Sequence, residues 1–314
     1  MTRFLVTGAS GLLGLNFALY TCQKHDVVGV VNQHALQHAP FAMHQLELTQ
    51  PGAARQLIQT IRPQVILHCA AMANVDVCES QPQLAQRVNA ELPGELAALA
   101  AEFDCKMVHI STDAVFNGEK GNYVEEDEPA PLSVYARTKL AGEEAVLATN
   151  LRALVARVNF YGWSITGGRS LAEFFYSHLS AGEKMKGFTD VLFCPLEVHD
   201  LSDLLLDMTA KDLQGIYHVV SSESLSKFEF GQRLARQFGL DASLIQPISW
   251  REAGLQAARS PELTLNIQKL RNALRHPLPD QAHGMARFAQ SLSDGLPEII
   301  RGMKMEPQIN TDAH

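Results

Sequence analysis

Phe4-Leu5-Val6-Thr7-Gly8-Ala9-Ser10-Gly11-Leu12-Leu13-Gly14 is the stretch on which the fold turns. Phe4 to Thr7 is short and β-leaning, and it runs straight into Gly8. Residues 12–22 then have helical character. Glycines spaced G-x-x-G-x-x-G let the chain turn tightly between strand and helix, and they let the backbone approach a ligand without a Cβ in the way. A helix that starts in such a loop points its unpaired N–H groups and its positive dipole end outward, which suits a pyrophosphate. The alternative is a strand–helix turn with no ligand. Three glycines at this spacing, at the first strand, weigh against it. Arg3 and the apolar residues after it also resemble a secretion signal, but the glycines interrupt the apolar run and no clear small-x-small cleavage site follows.

Outward from this loop, the pattern repeats. Residues 27–31, 65–69, 107–111 and 154–158 are short apolar runs of the kind that strands buried on both faces show. Helical stretches separate them, over residues 52–61, 82–102 and 134–147. Strands alternating with helices predict an α/β protein with a doubly wound parallel sheet. After about residue 161 the rhythm loosens. Residues 170–181, 198–210 and 226–238 read as helices, and 187–195 and 215–220 as extended. Ser226 with Glu229 three residues on has capping-box spacing. The expected division is a dinucleotide-binding domain over 1–160, mainly a substrate lobe over 161–300 with some segments returning to the first domain, and a frayed tail over 301–314.

The bulk properties set limits. The 314 residues are 46% hydrophobic and 19% charged, an ordinary globular balance, and the length suits one domain plus a smaller lobe. A net charge of −8 argues against a broad nucleic-acid surface. Cys22, Cys69, Cys78, Cys105 and Cys194 are scattered and form no CxxC pair, which points to reduced thiols in the cytoplasm rather than disulfides or a zinc site. No run of about 18 apolar residues predicts a membrane span.

The cofactor candidates follow from the fold. Gly8, Ser10, Gly11, Leu12, Leu13 and Gly14 form the phosphate loop. A site specific for NAD places a carboxylate at the end of the second strand, where this chain has Val31-Asn32-Gln33-His34. The missing carboxylate favours NADP(H), and the missing arginine leaves NAD(H) open. Glu47 and Leu48, after the next strand, are expected near the adenine. Cys69-Ala70-Ala71-Met72 is a small-residue strand end suited to close backbone approach.

The catalytic candidates are Tyr135 and Lys139, a Y-x-x-x-K pair that shares one face of a helix. A free phenol has a pKa of roughly 10 and exchanges protons poorly at neutral pH. A neighbouring ammonium favours the phenolate and lowers that value. Ser111-Thr112-Asp113 ends a strand, where ligands bind in open α/β sheets, and a hydroxyl there can bond a reacting oxygen. Alone, Y-x-x-x-K is as readily a solvated helix face. Glycine loop, strand-end hydroxyls and tyrosine–lysine pair in this order are far more specific.

These residues resemble extended short-chain dehydrogenases, and within them the dTDP-4-dehydrorhamnose reductase family. The resemblance rests on residues 6–14, His68-Cys69-Ala70-Ala71-Met72-Ala73-Asn74-Val75-Asp76, Glu79-Ser80-Gln81-Pro82, residues 111–118 and residues 131–143. It is looser in the second half, at 215–220 and Arg259-Ser260-Pro261. It implies a Rossmann-like domain with a smaller C-terminal α/β substrate lobe, and reduction of a nucleotide-linked 4-keto-6-deoxysugar. By the same resemblance, Tyr135 is the proton donor and Lys139 its partner on the nicotinamide ribose. Thr112 bonds the keto oxygen, Asp113 helps place substrate, and Asn89 supports the cofactor site. Two departures fall where substrate lies. Ala114 stands where the family commonly has tyrosine, and Trp163 is out of register with the family's tryptophan. A second resemblance is to the regulatory β subunits of methionine adenosyltransferases, which share the fold, bind NADP and modulate a partner enzyme.

Arg169 and Arg259 are candidates for the substrate's phosphates, because a guanidinium binds phosphate in a bidentate manner; surface ion pairs are the alternative. Trp163 either stacks on a base or packs in the core. His34 and His38 could share a helix face but lack a third ligand, so no metal site is expected. The expected partner is a nucleotide-sugar, with neither nucleic acid nor membrane, and a homodimer is compatible. An epimerase or dehydratase on the same substrates, and a regulatory subunit without turnover, remain as other readings.

Overall fold

A computed structural model describes residues 1–252 and 260–303. Its centre is a parallel sheet of β1 (Arg3–Thr7), β2 (Asp26–Val31), β3 (Ala42–Gln45), β4 (Val65–His68), β5 (Lys106–Thr112), β6 (Leu154–Val158) and β7 (Gly215–Val219). The strands lie in the order β7-β6-β5-β4-β1-β2-β3. After β3 the chain crosses to the other side of β1 to make β4. This reversal opens a crevice at the carboxyl ends of β1 and β4, where ligands bind in sheets of this kind.

The apolar runs are explained by burial on both faces. Phe4, Val6, Val27, Val31, Val65 and Leu67 point into one core. Leu5, Val28, Val30 and Ile66 point into a second core on the opposite face. The period of two along each strand thus feeds two cores at once. Helix α1 (Leu12–Thr21) covers the first face, with Leu13, Leu15 and Phe17 buried. Helices α2 (Ala53–Ile61) and α3 (Leu92–Glu102) cover the second.

The helix expected over 82–102 is broken. It forms Pro82–Gln86, a π-turn over Arg87–Glu91, and then α3. Pro93 has no N–H to give the Asn89 carbonyl four residues back, and the ladder widens there. Helix α4 (Val134–Thr149) is capped by Ser133, whose hydroxyl accepts from the Ala136 N–H at 3.2 Å.

The second half builds a smaller α/β lobe. Helix α5 (Leu171–Ser180) opens on a capping box of Ser170 and Glu173. Helix α6 (Val198–Ala210) leads back to β7 at the edge of the main sheet. Helix α7 (Lys227–Gln237) opens on the expected Ser226–Glu229 box. The lobe's strands are short: Leu192–Phe193 lies between Leu225–Ser226 and Glu262–Leu263, and Met185–Phe188 pairs with Ile245–Ile248.

Helices α8 (Gln281–Ser293) and α9 (Leu296–Gly302) close the described chain, so Arg301 stands in a helix rather than in a frayed tail. Trp163 belongs to the core. It stacks on Phe288 at 4.2 Å between ring centroids, and its indole N–H donates to the Ser291 hydroxyl at 2.9 Å. Among the described residues no helix is long and apolar enough to cross a membrane, and no group of three or more acidic, histidine or cysteine side chains could hold a metal ion.

Candidate active site

The glycine loop sits in the crevice, and its three glycines do different work. Gly8 has φ +67°, and a Cβ there would lie 2.7 Å from the Ala70 nitrogen, so the ends of β1 and β4 meet only because Gly8 has no side chain. A Cβ on Gly14 would lie 2.3 Å from the Gly8 carbonyl oxygen, so this glycine lets α1 pack on the loop. Gly11 has an ordinary φ of −81°, and its Cβ would meet only the Gly8 oxygen, at 3.1 Å. A Cβ there would be tight against that oxygen, yet a far smaller clash than at Gly8 or Gly14.

Gly11 is also the N-cap of α1, and no side chain caps that end. The free N–H groups and dipole therefore meet the crevice with room for an anion. This fits a dinucleotide's pyrophosphate. Ser10 and Leu12 are half-buried at the loop's rim, and Leu13 is buried beneath it.

The remaining cofactor candidates stand beyond the carboxyl ends of β2, β3 and β4 and on the π-turn. Asn32 and Glu47 leave neighbouring strands side by side, and the Asn32 amide donates to the Glu47 carboxylate; Leu48 is buried behind them. Cys69 and Ala70 are half-buried and Ala71 exposed at the β4 end. Asn89 clamps the loop after β4. It accepts from the Met72 N–H at 2.8 Å and donates to the Met72 carbonyl at 3.0 Å and the Thr138 hydroxyl at 3.1 Å. It thereby fixes the loop to α4.

Tyr135, Lys139 and Glu143 lie on one face of α4, above the ends of β5 and β6. Burial pushes the Tyr135 phenol up to about 12, against a hydrogen bond with the Thr112 side chain that lowers it, with Asp113 and Cys78 adding to the rise. Burial pushes the Lys139 amine down to about 8, with Glu143 and Cys69 opposing. The amine donates to the Ile110 carbonyl at 2.7 Å and stands 3.4 Å from His109 Nε2. His109 in turn stacks on His68, and burial holds both imidazoles well below their usual range. Lys139 thus rests on a floor of uncharged imidazoles and a backbone carbonyl.

Ser111, by contrast, is committed to structure. Its hydroxyl donates to Glu143, whose carboxylate also pairs with the buried Arg157 at 2.8 Å.

A cavity of about 390 Å³ opens beside Tyr135, between the sheet's carboxyl end and the lobe. Ala114, Tyr135 and Asn159 form one side, and Phe193, Lys227 and Trp250 the other. Ala114 leaves space on this wall. Two residues here were not foreseen. Asn159 donates to the buried Asp113 carboxylate at 2.6 Å, and Lys227 places its charge where it acts on the same group. Burial raises the pKa of Asp113, while Asn159, Thr112, Lys227 and the Ala114 N–H lower it. The only sequence sign of Asn159 was its place one residue beyond a strand end; Lys227 gave none beyond its place at a helix start.

Arg169 is not brought to this cavity. It stands exposed on the loop before α5, where its backbone N–H donates to Glu173 at 3.0 Å. Arg259 lies outside the described residues.

Sheet order, glycine loop, strand-end Ser-Thr-Asp and the tyrosine–lysine pair, its tyrosine half-buried on the cavity wall and its lysine buried, define a Rossmann-type α/β protein of the extended short-chain dehydrogenase/reductase type. The chain belongs to the family of the RmlD substrate binding domain, whose profile matches residues 2–293. It is 32% identical to the probable low-salt glycan biosynthesis reductase Agl14 of Haloferax volcanii, over 92% of this chain and 98% of that protein. It is 34% identical to methionine adenosyltransferase 2 subunit beta of Xenopus laevis, over 80% of this chain and 77% of that one. Among solved structures, a dTDP-4-dehydrorhamnose reductase from Bacillus anthracis in complex with NADP is similar with a TM-score of 0.82 and 27% identity, over 92% of this chain and 99% of that one.

Proposed function

We propose that this protein is an NAD(P)H-dependent reductase of a nucleotide-linked 4-keto-6-deoxysugar, serving polysaccharide assembly. The observation that carries this is the placement of Tyr135 beside Thr112, between the crevice of the glycine loop and the cavity of about 390 Å³. A cofactor on one side and a sugar on the other would meet at the phenol. The relatives named as reductases, and the NADP held by the Bacillus anthracis protein, support it.

The cofactor is NADP(H) or NAD(H). Gly11 and the uncapped start of α1 would hold the pyrophosphate, and Asn32, Glu47, Leu48, Cys69, Ala70 and Ala71 would line the adenosine and nicotinamide ends. When bound, the nicotinamide supplies a hydride to the carbonyl carbon. Thr112 orients the carbonyl oxygen and Tyr135 gives it a proton. The high pKa of the phenol keeps that proton in place at neutral pH. Lys139, whose amine burial lowers to about 8, would support the tyrosine and hold the ribose. Asp113, held by Asn159, fixes the far side of the sugar. Screening turnover of nucleotide-linked ketosugars with NADPH and NADH tests this reading.

A second reading is a dinucleotide-dependent regulatory subunit. The similarity to methionine adenosyltransferase 2 subunit beta favours it. Absence of turnover, together with co-purification of a partner enzyme whose activity responds to NADP, would establish it.

A further inference from the structure

Three adjacent strands carry a row of buried polar side chains through the main sheet. Thr7 is in register with His68, and His68 with His109, so the row crosses β1, β4 and β5 at one level. Thr7 Oγ1 and His68 Nδ1 share a hydrogen bond of 2.7 Å, and the two imidazoles stack at 5.4 Å between ring centroids. The row ends at Lys139, whose Nζ stands 3.4 Å from His109 Nε2. Polar groups are costly in such a place unless they are bonded, so the row calls for a reason.

An ammonium has three N–H donors and no acceptor. Lys139 gives one donor to the Ile110 carbonyl at 2.7 Å. The second acceptor in reach is His109 Nε2, which accepts only from a neutral ring with its proton on Nδ1. Burial, with the charge of Lys139 beside it, keeps that ring neutral. Nδ1 has no partner among the described residues, so the lysine alone decides the tautomer. Two donors are thus held from the sheet, and one remains.

We propose that His109, braced by its stack on His68, is a positioning residue for Lys139: it accepts a hydrogen bond from the ammonium and so turns a remaining N–H toward the crevice. The proposal rests on the dinucleotide reading above and deepens it by naming what aims the lysine at the ribose. The titratable groups that face this amine are Glu143 on its own helix, His68 and Cys69 at the β4 end, and His109 on β5. Glu143 and Cys69 favour the charged amine. His109 adds a bond that is stronger to the ammonium than to the neutral amine.

Urea unfolding of the cofactor-free chain across a pH series provides the test, with wild type, His109→Phe and His109→Gln compared. Phenylalanine keeps the stack and loses the acceptor; glutamine restores an acceptor at similar reach. Wild-type stability should begin to rise as pH passes about 8, where the lysine gives up its charge. In His109→Phe the onset should move down by about one pH unit, the scale of a hydrogen bond to a charged group, and His109→Gln should return it. The shift should vanish when Lys139→Met is added. A merely structural role would lower stability alike at every pH and would persist beside Lys139→Met. Dissociation constants for NADPH over the same series should weaken from the same lower pH in His109→Phe. An unshifted onset in folded His109→Phe, or in His109→Leu if phenylalanine is not accommodated, overturns the role of His109 and leaves the dinucleotide reading intact. A shifted onset in a chain that binds neither NADPH nor NADH upholds His109 as the partner of Lys139 and overturns the dinucleotide reading instead.

Discussion

Asn159 donates to the buried carboxylate of Asp113 at 2.6 Å, and this bond ties the end of β6 to the end of β5 beside Tyr135. Because burial raises the Asp113 pKa, the folded state holds that proton more tightly than the unfolded chain. The contribution of Asp113 to stability is then full at low pH and declines as pH rises from about 4 through the folded value. Asn159→Ala removes a donor from the charged form and should cost about 1–3 kcal/mol at neutral pH. Urea unfolding across a pH series should show a steeper decline for Asn159→Ala and a flatter one for Asp113→Asn. Identical pH dependence in all three would contradict the pairing.

The glycine loop separates packing from binding. Gly14→Ala should destabilise the fold, because the new Cβ falls 2.3 Å from the Gly8 oxygen. Gly11→Val should stay folded and lose dinucleotide affinity, because its side chain enters the space kept for phosphate. Thermal melts with and without NADPH distinguish the two. A folded Gly11→Val protein with wild-type affinity would show that the loop serves structure alone.

Much of this was legible in the sequence. The alternating elements, the glycine spacing and Tyr135 with Lys139 are local patterns, and local patterns survive translation into structure. Asn159, Lys227 and the meeting of Asn32 with Glu47 were not legible as a site, because each depends on which strands and helices become neighbours. Position 32 read as lacking a carboxylate, since its partner is supplied from the next strand. The break at Asn89 followed from Pro93, a signal present in the sequence but hidden inside a run of good helix formers.

Lys139 yields a pH prediction with a definite sign. Burial lowers its pKa from 10.5 to about 8, so the folded state disfavours its charge. The destabilising effect is complete below about 8 and fades as pH rises toward the ordinary lysine value. Stability should therefore rise across that window in the wild type, and Lys139→Met should flatten the rise. Reduction should weaken above about pH 8 as the ammonium is lost, while Tyr135 stays protonated to about 12. Activity that is level to pH 10 would contradict this role for Lys139.

Under the proposed function, Tyr135 gives the proton in a dinucleotide-dependent reduction. The most direct measurement of this is stoichiometric oxidation of NADPH or NADH against nucleotide-linked 4-keto-6-deoxysugars, with wild type and Tyr135→Phe side by side. The wild type should turn over, and Tyr135→Phe should lose roughly 100- to 10,000-fold with dinucleotide affinity retained. A Tyr135→Phe protein within a few-fold of wild type on the substrate it reduces would contradict it.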